Sequence, residues 1–394
     1  MSAPAPAEPR SLAGFLATLA ECRDKRSLTH GLHPYPAKFI PHIPRRLIEL
    51  FSRPGDTVLD PMCGSGTAVV EAAVGGRVGI GVDLNPVACL AARAKTTLLT
   101  EDDERELARL RARLVALERV ATSPAGLSPA GLDGLADPVV LPDFPNRDHW
   151  FDRHVSVELA ACLAELRRLD GTGARVVACC GFSAAIVAVS RQESETRWVA
   201  RPARTPPGAV ARRLTNHLDA AVTALWAYAA AATTPATILR ADARRLPLPA
   251  ESVDLVVTSP PYANSHDYYL YNKLRMFWLG YDVGPVQSAE FGSRNKHSDL
   301  KLGIEHYLLS MRSVLAEIRR VLRRNGTAAI VVGDAVIRGT FYDMAEALTP
   351  AAAESGLTLV ASPAFAHKRF TSAFNTQFGT RRDKRTHILV LRRN

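Results

Sequence analysis

The chain has 394 residues, of which 47% are hydrophobic and 22% are charged, and its formal net charge is +10. This composition excludes a wholly disordered chain and fits a globular protein with a substantial core. The length fits one large domain with an insertion, or two domains. The positive charge favours a polyanionic partner without proving one.

The sequence has no secretory signal pattern and no apolar run of membrane-spanning length, so we expect a cytoplasmic protein with no membrane partner. The six cysteines lack metal-ligand spacing, and the adjacent Cys179 and Cys180 lie in an apolar run. We therefore predict reduced, packed thiols and no metal site. Residues 1–27 start with a Pro/Ala-rich stretch and are predicted to form a disordered leader.

The first predicted elements alternate between helices and strands. Residues 28–50 begin with prolines and end as an amphipathic helix, and 56–60 form a short apolar strand. The glycine-rich turn PMCGSGT leads into a helix, and 77–83 form a second strand. Asn85 is predicted to cap the helix that follows, with Pro86 in its first turn. This order is the opening of a doubly wound α/β sheet.

The same pattern resumes after residue 235. A long helix is predicted over 304–326 with Asn325-Gly326 as its stop, and a second helix over 340–356. The last two strands bracket a basic loop and are predicted to pair antiparallel at the sheet edge. We therefore expect a doubly wound, seven-stranded, Rossmann-like sheet. Its five later strands are predicted at 237–242, 252–258, 327–334, 357–363 and 386–393.

A long segment interrupts the sheet between its second and third strands. It contains a charged helical stretch, a Pro/Gly-rich connector, the anchor Trp150-Phe151, and helices near 154–168 and 209–232. It is too long for a connecting loop, so we predict an inserted, mainly helical subdomain with a role in target recognition. The predicted divisions are the leader (1–27), a cofactor-binding half (28–96), the insert (97–235) and a catalytic half (236–394).

Three of the predicted strands end in acidic residues: Asp60, Asp83 and Asp242. Gly64 and Gly66 allow a ligand to approach the backbone closely. Asp83 is placed to accept hydrogen bonds from a ribose diol, and Asp242 to accept one from an adenine amino group. A P-loop is excluded because no Gly-Lys-Ser/Thr follows the glycines. The dinucleotide pattern G-x-G-x-x-G is excluded because Val69 stands at its third glycine position.

The turn DPMCGSGT resembles motif I of the S-adenosylmethionine-dependent methyltransferases, and the stretch from Asp83 to Pro86 is similar to their motif II. Upstream, HPYPAKFIP resembles the motif X of amino-methylating DNA methyltransferases. The resemblance covers roughly 28–96 and 236–394 and implies S-adenosylmethionine as the cofactor. The residues implied to bind it are Lys38, Phe39, Asp60, Met62, Cys63, Gly64, Gly66, Thr67, Asp83, Leu84, Asn85, Asp242 and Ala243.

The stretch Ser259-Pro260-Pro261-Tyr262 follows the fourth strand and resembles motif IV of enzymes that methylate exocyclic amino groups of bases. The lone pair of such an amine is delocalised into the ring. Acceptors aimed at its N–H groups favour a tetrahedral nitrogen and free the lone pair for attack. The Ser259 hydroxyl and the Pro260 carbonyl suit this role, and the prolines remove competing donors. Tyr262 offers a ring for stacking on a flipped base.

The first residue of motif IV bears on the choice of base. Family members with serine there mostly act on cytosine N4, and those with aspartate or asparagine mostly on adenine N6, so Ser259 favours cytosine N4. A cytosine-C5 enzyme would need Pro-Cys where Pro261-Tyr262 stands. Three alternatives stay open: adenine-N6 DNA methylation, an RNA base amino-methyltransferase similar to tRNA guanine-N2 enzymes, and a non-catalytic cofactor-binding module. Many N4-cytosine enzymes place motif IV before motif I, and this chain does not.

The segment VSRQESETRWVARPAR of the insert combines arginine, glutamine and tryptophan, and we predict that it contacts DNA. The stretches 267–275 and 370–387 have a similar mix of aromatic and basic residues. Tyr268, Tyr269 and Tyr271 equally fit the buried face of a helix. A cognate restriction enzyme is a second candidate partner, and the oligomeric state stays open. The predicted DNA contacts are Arg191, Gln192, Arg197, Arg201, Arg204, Tyr268, Lys273, Arg381 and Arg382.

Overall fold

The computed structural model of the chain describes residues 12, 14–16, 26–124, 126–127, 139–202, 204–294, 300–366 and 384–394. The predicted leader lies almost wholly outside these residues. The helices from residue 42 onward are α1 (His42–Phe51), α2 (Thr67–Val74), α3 (Pro86–Lys95), α4 (Glu101–Thr122), α5 (Arg147–Trp150), α6 (Arg153–Arg167), α7 (Thr172–Val189), α8 (Ala209–Ala231), α9 (Tyr268–Tyr271), α10 (Lys273–Trp278), α11 (Gly284–Ala289), α12 (Ile304–Val321) and α13 (Met344–Glu354). The strands are β1 (Thr57–Asp60), β2 (Val78–Asp83), β3 (Gln192–Ser194), β4 (Arg197–Ala200), β5 (Ala236–Arg240), β6 (Val253–Thr258), β7 (Leu322–Gly333), β8 (Ala335–Ile337), β9 (Thr340–Tyr342), β10 (Leu357–Ala361), β11 (Ala364–Ala366) and β12 (Arg385–Arg393).

The main sheet has the strand order β10-β12-β7-β6-β1-β2-β5, and β11 pairs with β12 at its margin. Strands β5, β2, β1, β6 and β7 are all parallel to one another. Strand β12 runs antiparallel to both of its neighbours, β7 and β10. The order reverses between β1 and β6, which is where doubly wound sheets bind ligands. The predicted doubly wound, Rossmann-like sheet is confirmed.

Local sequence explains the elements around this reversal. The Asn85 side chain caps α3 by accepting from the Val87 N–H at 2.9 Å, and Pro86 occupies the first turn, as predicted. The apolar face of α1 packs under β1 and β6, and α12 and α13 cover the opposite face of the sheet. The glycine turn therefore emerges from a strand that is buried on both sides.

One prediction about the late elements was wrong, and another is confirmed. Helix α12 ends at Val321 rather than at Asn325-Gly326, because Leu322 already pairs with Val253 and begins β7. The last two predicted strands do pair antiparallel at the edge of the sheet, where β10 is outermost and β12 lies between β10 and β7. Residues 386–391 are buried on both faces of the sheet, which suits an interior strand.

The insert contributes α4, α6, α7 and α8 to one apolar cluster, which also holds Phe151 and the buried ring of Trp150. Leu274 and Trp278 of α10 join the same cluster, so the insert is packed onto the catalytic half. Whether residues 97–235 form a unit for target recognition stays a prediction.

Among the described residues, α7 is long and apolar enough to cross a membrane, which the sequence expectation overlooked. Buried positions make up 61% of α7, and its neighbours are other helices of the same cluster. This degree of burial is typical of a helix in a protein core.

Candidate cofactor and catalytic cleft

A cleft opens at the carboxyl ends of β1, β2 and β6. It collects residues from six stretches of the chain: the sequence singled out 35–39, 60–67, 83–85, 242–243 and 259–268, but not 286–291. The predicted residues that line it are Lys38, Phe39, Asp60, Met62, Cys63, Gly64, Thr67, Asp83, Leu84, Asn85, Asp242, Ala243, Ser259, Pro261 and Tyr268.

Asp83 organises the glycine turn through its two carboxylate oxygens. One accepts from the Gly64 N–H at 2.8 Å, and the other from the Asn85 N–H at 2.8 Å. Gly64 has φ +49°, in the left-handed region that favours glycine. Burial raises the pKa of Asp83 to about 6, although these backbone donors oppose the shift. Asp83 is therefore a fixed hydrogen-bond acceptor beside the backbone of Gly64, which carries no Cβ.

Gly66 does not line the cleft, in contrast to its predicted cofactor contact. It has φ +81°, and a Cβ added there would lie 2.8 Å from the Cβ of Ala92. Gly66 therefore permits the close approach of α3 to the turn. Its part in the site is to place Gly64 and Ser65.

Asp60 is buried at the end of β1 and lines the floor of the cleft. It accepts from the Thr258 hydroxyl at 2.7 Å and from the Met62 N–H at 3.2 Å. Burial raises the pKa of Asp60 to about 7, the charge of Asp83 adds to the rise, and the two donors oppose it. The residue therefore titrates near neutral pH, which the sequence did not indicate.

Asp242 lines the cleft, but its carboxylate is already paired. Arg244 donates to both of its oxygens, with a shortest separation of 2.6 Å, and also to the Ala289 carbonyl. The Asp242 pKa is lowered: burial raises it, but the hydrogen bonds from Arg244 outweigh burial. Any contact with an adenine amino group must use the remaining lone pairs of this carboxylate. Arg244 was missed because its role depends on the turn after β5.

The stretch 35–39 forms one wall of the cleft. The Lys38 ammonium donates to the carbonyls of His30 and His33 at 3.0 and 3.2 Å, which folds this loop onto itself. His30 bonds Glu71 of α2 at 2.7 Å, and His33 bonds Ser183 of α7 at 2.9 Å. The loop is thus held by both the cofactor half and the insert.

The four residues of motif IV have different environments. Ser259 and Pro261 line the cleft, whereas Pro260 is buried and Tyr262 does not line it. The Tyr262 ring packs where a Cβ on Gly333 would come within 2.8 Å of it, and its hydroxyl interacts with Ser259 and Thr386. The Tyr262 hydroxyl therefore supports Ser259, and the stacking of its ring on a base stays a prediction.

Aromatic rings that do line the cleft come from elsewhere. Tyr35 and Tyr268 are stacked, with ring centroids 6.1 Å apart and an interplanar angle of 13°. Glu290 accepts from the Tyr268 N–H at 2.7 Å and so fixes the start of α9. Tyr269 and Tyr271 are buried. The helix-face alternative was therefore right for two of the three tyrosines, and Tyr268 is the exception.

The predicted DNA-contacting segment divides into internal and exposed residues. Arg191 donates to the carbonyls of Asp148 and His149 and pairs with Asp152, and Gln192 is buried and bonds the Ser194 carbonyl. Both residues therefore have partners within the insert, and their contact with DNA stays a prediction. The exposed arginines among the described residues of the segment are Arg197, Arg201 and Arg204.

Arg197 begins β4 of the β3–β4 hairpin and Arg201 directly follows that strand, and both arginines pair with the same acid. Both donate to Glu193, at 2.8 and 2.6 Å, while their side chains stay more than half exposed. Lys273 lies 5.9 Å from the Trp198 ring, which joins α10 to the hairpin. Arg381 and Arg382 lie outside the described residues.

Buried Arg275 ties the hairpin to the catalytic half. Its guanidinium donates to both carboxylate oxygens of Glu195, at 2.9 and 2.7 Å, and to the Ser183 carbonyl at 2.9 Å. This pair was not predicted, because its members are 80 residues apart in the chain.

Asp334, Asp343 and His387 are the one described group whose ligand atoms lie close enough for a metal ion. These atoms already have partners. Asp334 accepts from His387 at 2.7 Å and from the Arg385 N–H at 2.9 Å, and Asp343 caps α13 and pairs with Arg385. The arrangement fastens β12 to β7 and includes a guanidinium, which opposes a cation.

The fold and the cleft together define a methylase. The DNA methylase family model (N6_N4_Mtase) matches residues 17–94 and 253–387, more than half of the chain. The chain therefore belongs to this family. The match leaves out residues 95–252, which contain the predicted insert.

Two curated relatives align with parts of the chain. The Type II methyltransferase M.MjaII of Methanocaldococcus jannaschii is 37% identical over 73 residues, or 18% of this chain and 14% of the relative. The Type II methyltransferase M.MvaI of Kocuria varians is 32% identical over 149 residues, or 37% of this chain and 30% of the relative. The aligned part of this chain thus spans less than a third of either relative.

Solved structures give weaker similarities. TrmN from Thermus thermophilus is 14% identical, with 91% of this chain and 50% of that chain covered and a TM-score of 0.34. A SAM-dependent methyltransferase from Methanosarcina mazei is 9% identical, with 88% and 96% covered and a TM-score of 0.34. The fold assignment rests on the strand order instead.

S-adenosylmethionine is the cofactor of this methylase fold, and the cleft fits it. Gly64 offers an unobstructed backbone, Asp83 offers carboxylate oxygens at the end of β2, and Tyr35 and Tyr268 offer apolar ring surface. Ser259 lies in the same cleft, on the side of β6.

Proposed function

We propose that the chain transfers a methyl group from S-adenosylmethionine to the exocyclic N4 of a cytosine flipped out of DNA, and that it acts in the cytoplasm. The observation that carries the proposal is the placement of Ser259 in one cleft with Asp83 and Gly64. An acceptor for an amino group and a site for a nucleoside cofactor thus face the same space. Family membership supports DNA as the substrate.

In this mechanism the bound cofactor supplies an electrophilic methyl group. The Ser259 hydroxyl oxygen and the Pro260 carbonyl accept the two N–H groups of the target amine. This favours a tetrahedral nitrogen whose lone pair can attack the methyl carbon. The target nitrogen would gain the methyl carbon as the carbon–sulfur bond of the cofactor breaks, and it would then release one proton to solvent. No covalent intermediate with the protein is required.

Several described features hold Ser259 in place. Thr258 is fixed to Asp60, the two prolines restrict the loop, and Tyr262 supports the serine hydroxyl. The rings of Tyr35 and Tyr268 are available to stack on a base or on the cofactor adenine. The exposed arginines of the β3–β4 hairpin are the proposed phosphate and base contacts. A cognate restriction enzyme remains a candidate partner.

The test is methylation of DNA by the purified chain with isotopically labelled S-adenosylmethionine, followed by nucleoside mass spectrometry. We expect labelled N4-methylcytosine. Labelled N6-methyladenine would establish adenine-N6 methylation, and label only in RNA would replace DNA as the substrate.

Ser259→Ala tests the role of the acceptor. Removal of one such polar group typically costs about 10²–10³-fold in turnover, so we expect a loss of this size with little change in cofactor affinity. Ser265→Ala is a matched control, since the Ser265 hydroxyl bonds His266 at 2.6 Å and does not line the cleft. Equal losses of turnover and cofactor affinity in Ser259→Ala would contradict the assignment.

A further inference from the structure

Lys95, the last residue of α3, is wholly buried. Its ammonium donates to the Ser65 hydroxyl at 2.9 Å. Among the described residues, no carboxylate lies within 4.0 Å of this ammonium. A buried cation without an anionic partner is costly, and proteins keep one mainly where an anion compensates it.

The position of this lysine relates it to the cleft. Ser65 lines the cleft in the glycine turn. The hydrogen bond from Lys95 occupies a lone pair of the serine oxygen, which leaves the hydroxyl proton to donate to a ligand. The lysine therefore lies directly behind a cleft-lining donor.

A second cationic side chain, Lys38, lies near Lys95. Burial and, less strongly, the nearby charge of Lys38 lower the pKa of Lys95 to about 7, while Cys180 and Cys63 oppose the shift. His30 and His33 also face it, and each has a lowered pKa, mainly because of burial. Lys38 and Cys63 line the same cleft as Ser65. This corner is therefore suited to an anionic group.

S-adenosylmethionine carries one such group, the α-carboxylate of its methionine portion. Asp83 and Asp242 are acidic and suit the hydroxyl and amino groups of the nucleoside, so the carboxylate must lie elsewhere. We propose that the Ser65 hydroxyl donates to this α-carboxylate and that the Lys95 ammonium behind it supplies the counter-charge. The inference rests on the cofactor assigned to the cleft and adds a residue that neither the motifs nor the family match contains.

This arrangement couples cofactor binding to protonation. A carboxylate at Ser65 favours the charged form of Lys95 and raises its pKa. Above pH 7, where the lysine is mostly neutral in the free protein, binding then takes up a proton. At pH 8 we expect the uptake to approach one proton, and below pH 6 to approach zero.

The experiment compares two ligands by titration calorimetry with the full chain. S-adenosylhomocysteine carries the amino acid portion, and 5′-methylthioadenosine carries the nucleoside and thioether but lacks the carboxylate. Loss of a hydrogen-bonded counter-charge costs about 10- to 100-fold in affinity. Lys95→Met should weaken S-adenosylhomocysteine by this factor and leave 5′-methylthioadenosine within about twofold.

Proton uptake gives a second readout, measured at pH 8 in buffers with different ionisation heats. Lys95→Met should abolish the uptake that accompanies S-adenosylhomocysteine binding. Ser65→Ala keeps the lysine and should weaken the same ligand, again without affecting 5′-methylthioadenosine. Lys301→Met removes an exposed lysine and serves as the control. Thermal unfolding checks each variant, and Lys95→Met should be at least as stable as the original chain.

The outcomes distinguish the proposed role of Lys95 from a purely structural one. If Lys95→Met weakens both ligands equally, the lysine is structural and the inference is overturned. Unchanged affinity for S-adenosylhomocysteine, with proton uptake intact, also overturns it. If the original chain binds neither ligand, the cofactor assignment itself fails, which is a different result from a failure of Lys95 alone.

Discussion

The packing role of Gly66 in the glycine turn can be tested against a second glycine, Gly339, as a control. Gly66 and Gly339 both have φ +81°, but a Cβ would lie 2.8 Å from Ala92 Cβ at Gly66 and meet nothing within 4 Å at Gly339. A left-handed non-glycine residue costs roughly 1–2 kcal/mol, and overpacking adds roughly 1–3 kcal/mol. Gly339→Ala should therefore lose about 1–2 kcal/mol of unfolding free energy and Gly66→Ala about 2–5 kcal/mol.

The assay is equilibrium urea unfolding together with S-adenosylhomocysteine binding. Gly66→Ala should also bind the ligand more weakly, because the turn that carries Gly64 must shift, whereas Gly339→Ala should bind it normally. Adding Ala92→Gly to Gly66→Ala removes the closest contact and should restore part of the lost stability. Equal destabilisation by the two single substitutions, or no recovery in the double variant, would refute the packing role of Gly66.

Two further predictions concern a buried acid and the exposed arginines. Because burial raises the pKa of Asp60 to about 7, the folded state binds more protons than the unfolded state and stability is lost as pH rises from about 4 through 7. Asp60→Asn should therefore gain stability relative to the original chain over that range in urea unfolding, and parallel curves would exclude the shifted pKa. Replacing both Arg197 and Arg201 with alanine should weaken DNA binding and reduce the slope of log affinity against log salt by about 2. Arg191→Ala should lower stability with an unchanged slope, and the reverse pattern would place recognition elsewhere.

The sequence determined those features that local chemistry dictates. Asn85 caps α3 because its side chain reaches an N–H two residues away, and the prolines of motif IV limit their own backbone. The acid-ended strands followed from apolar runs closed by polar residues. Parallel strands end at a common edge, so these motifs predicted side chains that line one shared cleft, and their contacts with the cofactor stay a prediction.

Only the tertiary structure decided the features that depend on distant partners. The sequence pattern of β12 does not reveal that it lies between β7 and β10, since strand order depends on pairing across the whole sheet. The sequence predicted that Arg191 contacts DNA, yet its guanidinium binds the carbonyls of Asp148 and His149 and the carboxylate of Asp152. The proposed role of Lys95 depends on its hydrogen bond to Ser65, 30 residues earlier in the chain. A side chain's chemistry can be read from its type, but burial and charge partners arise when the chain folds and set what that chemistry does.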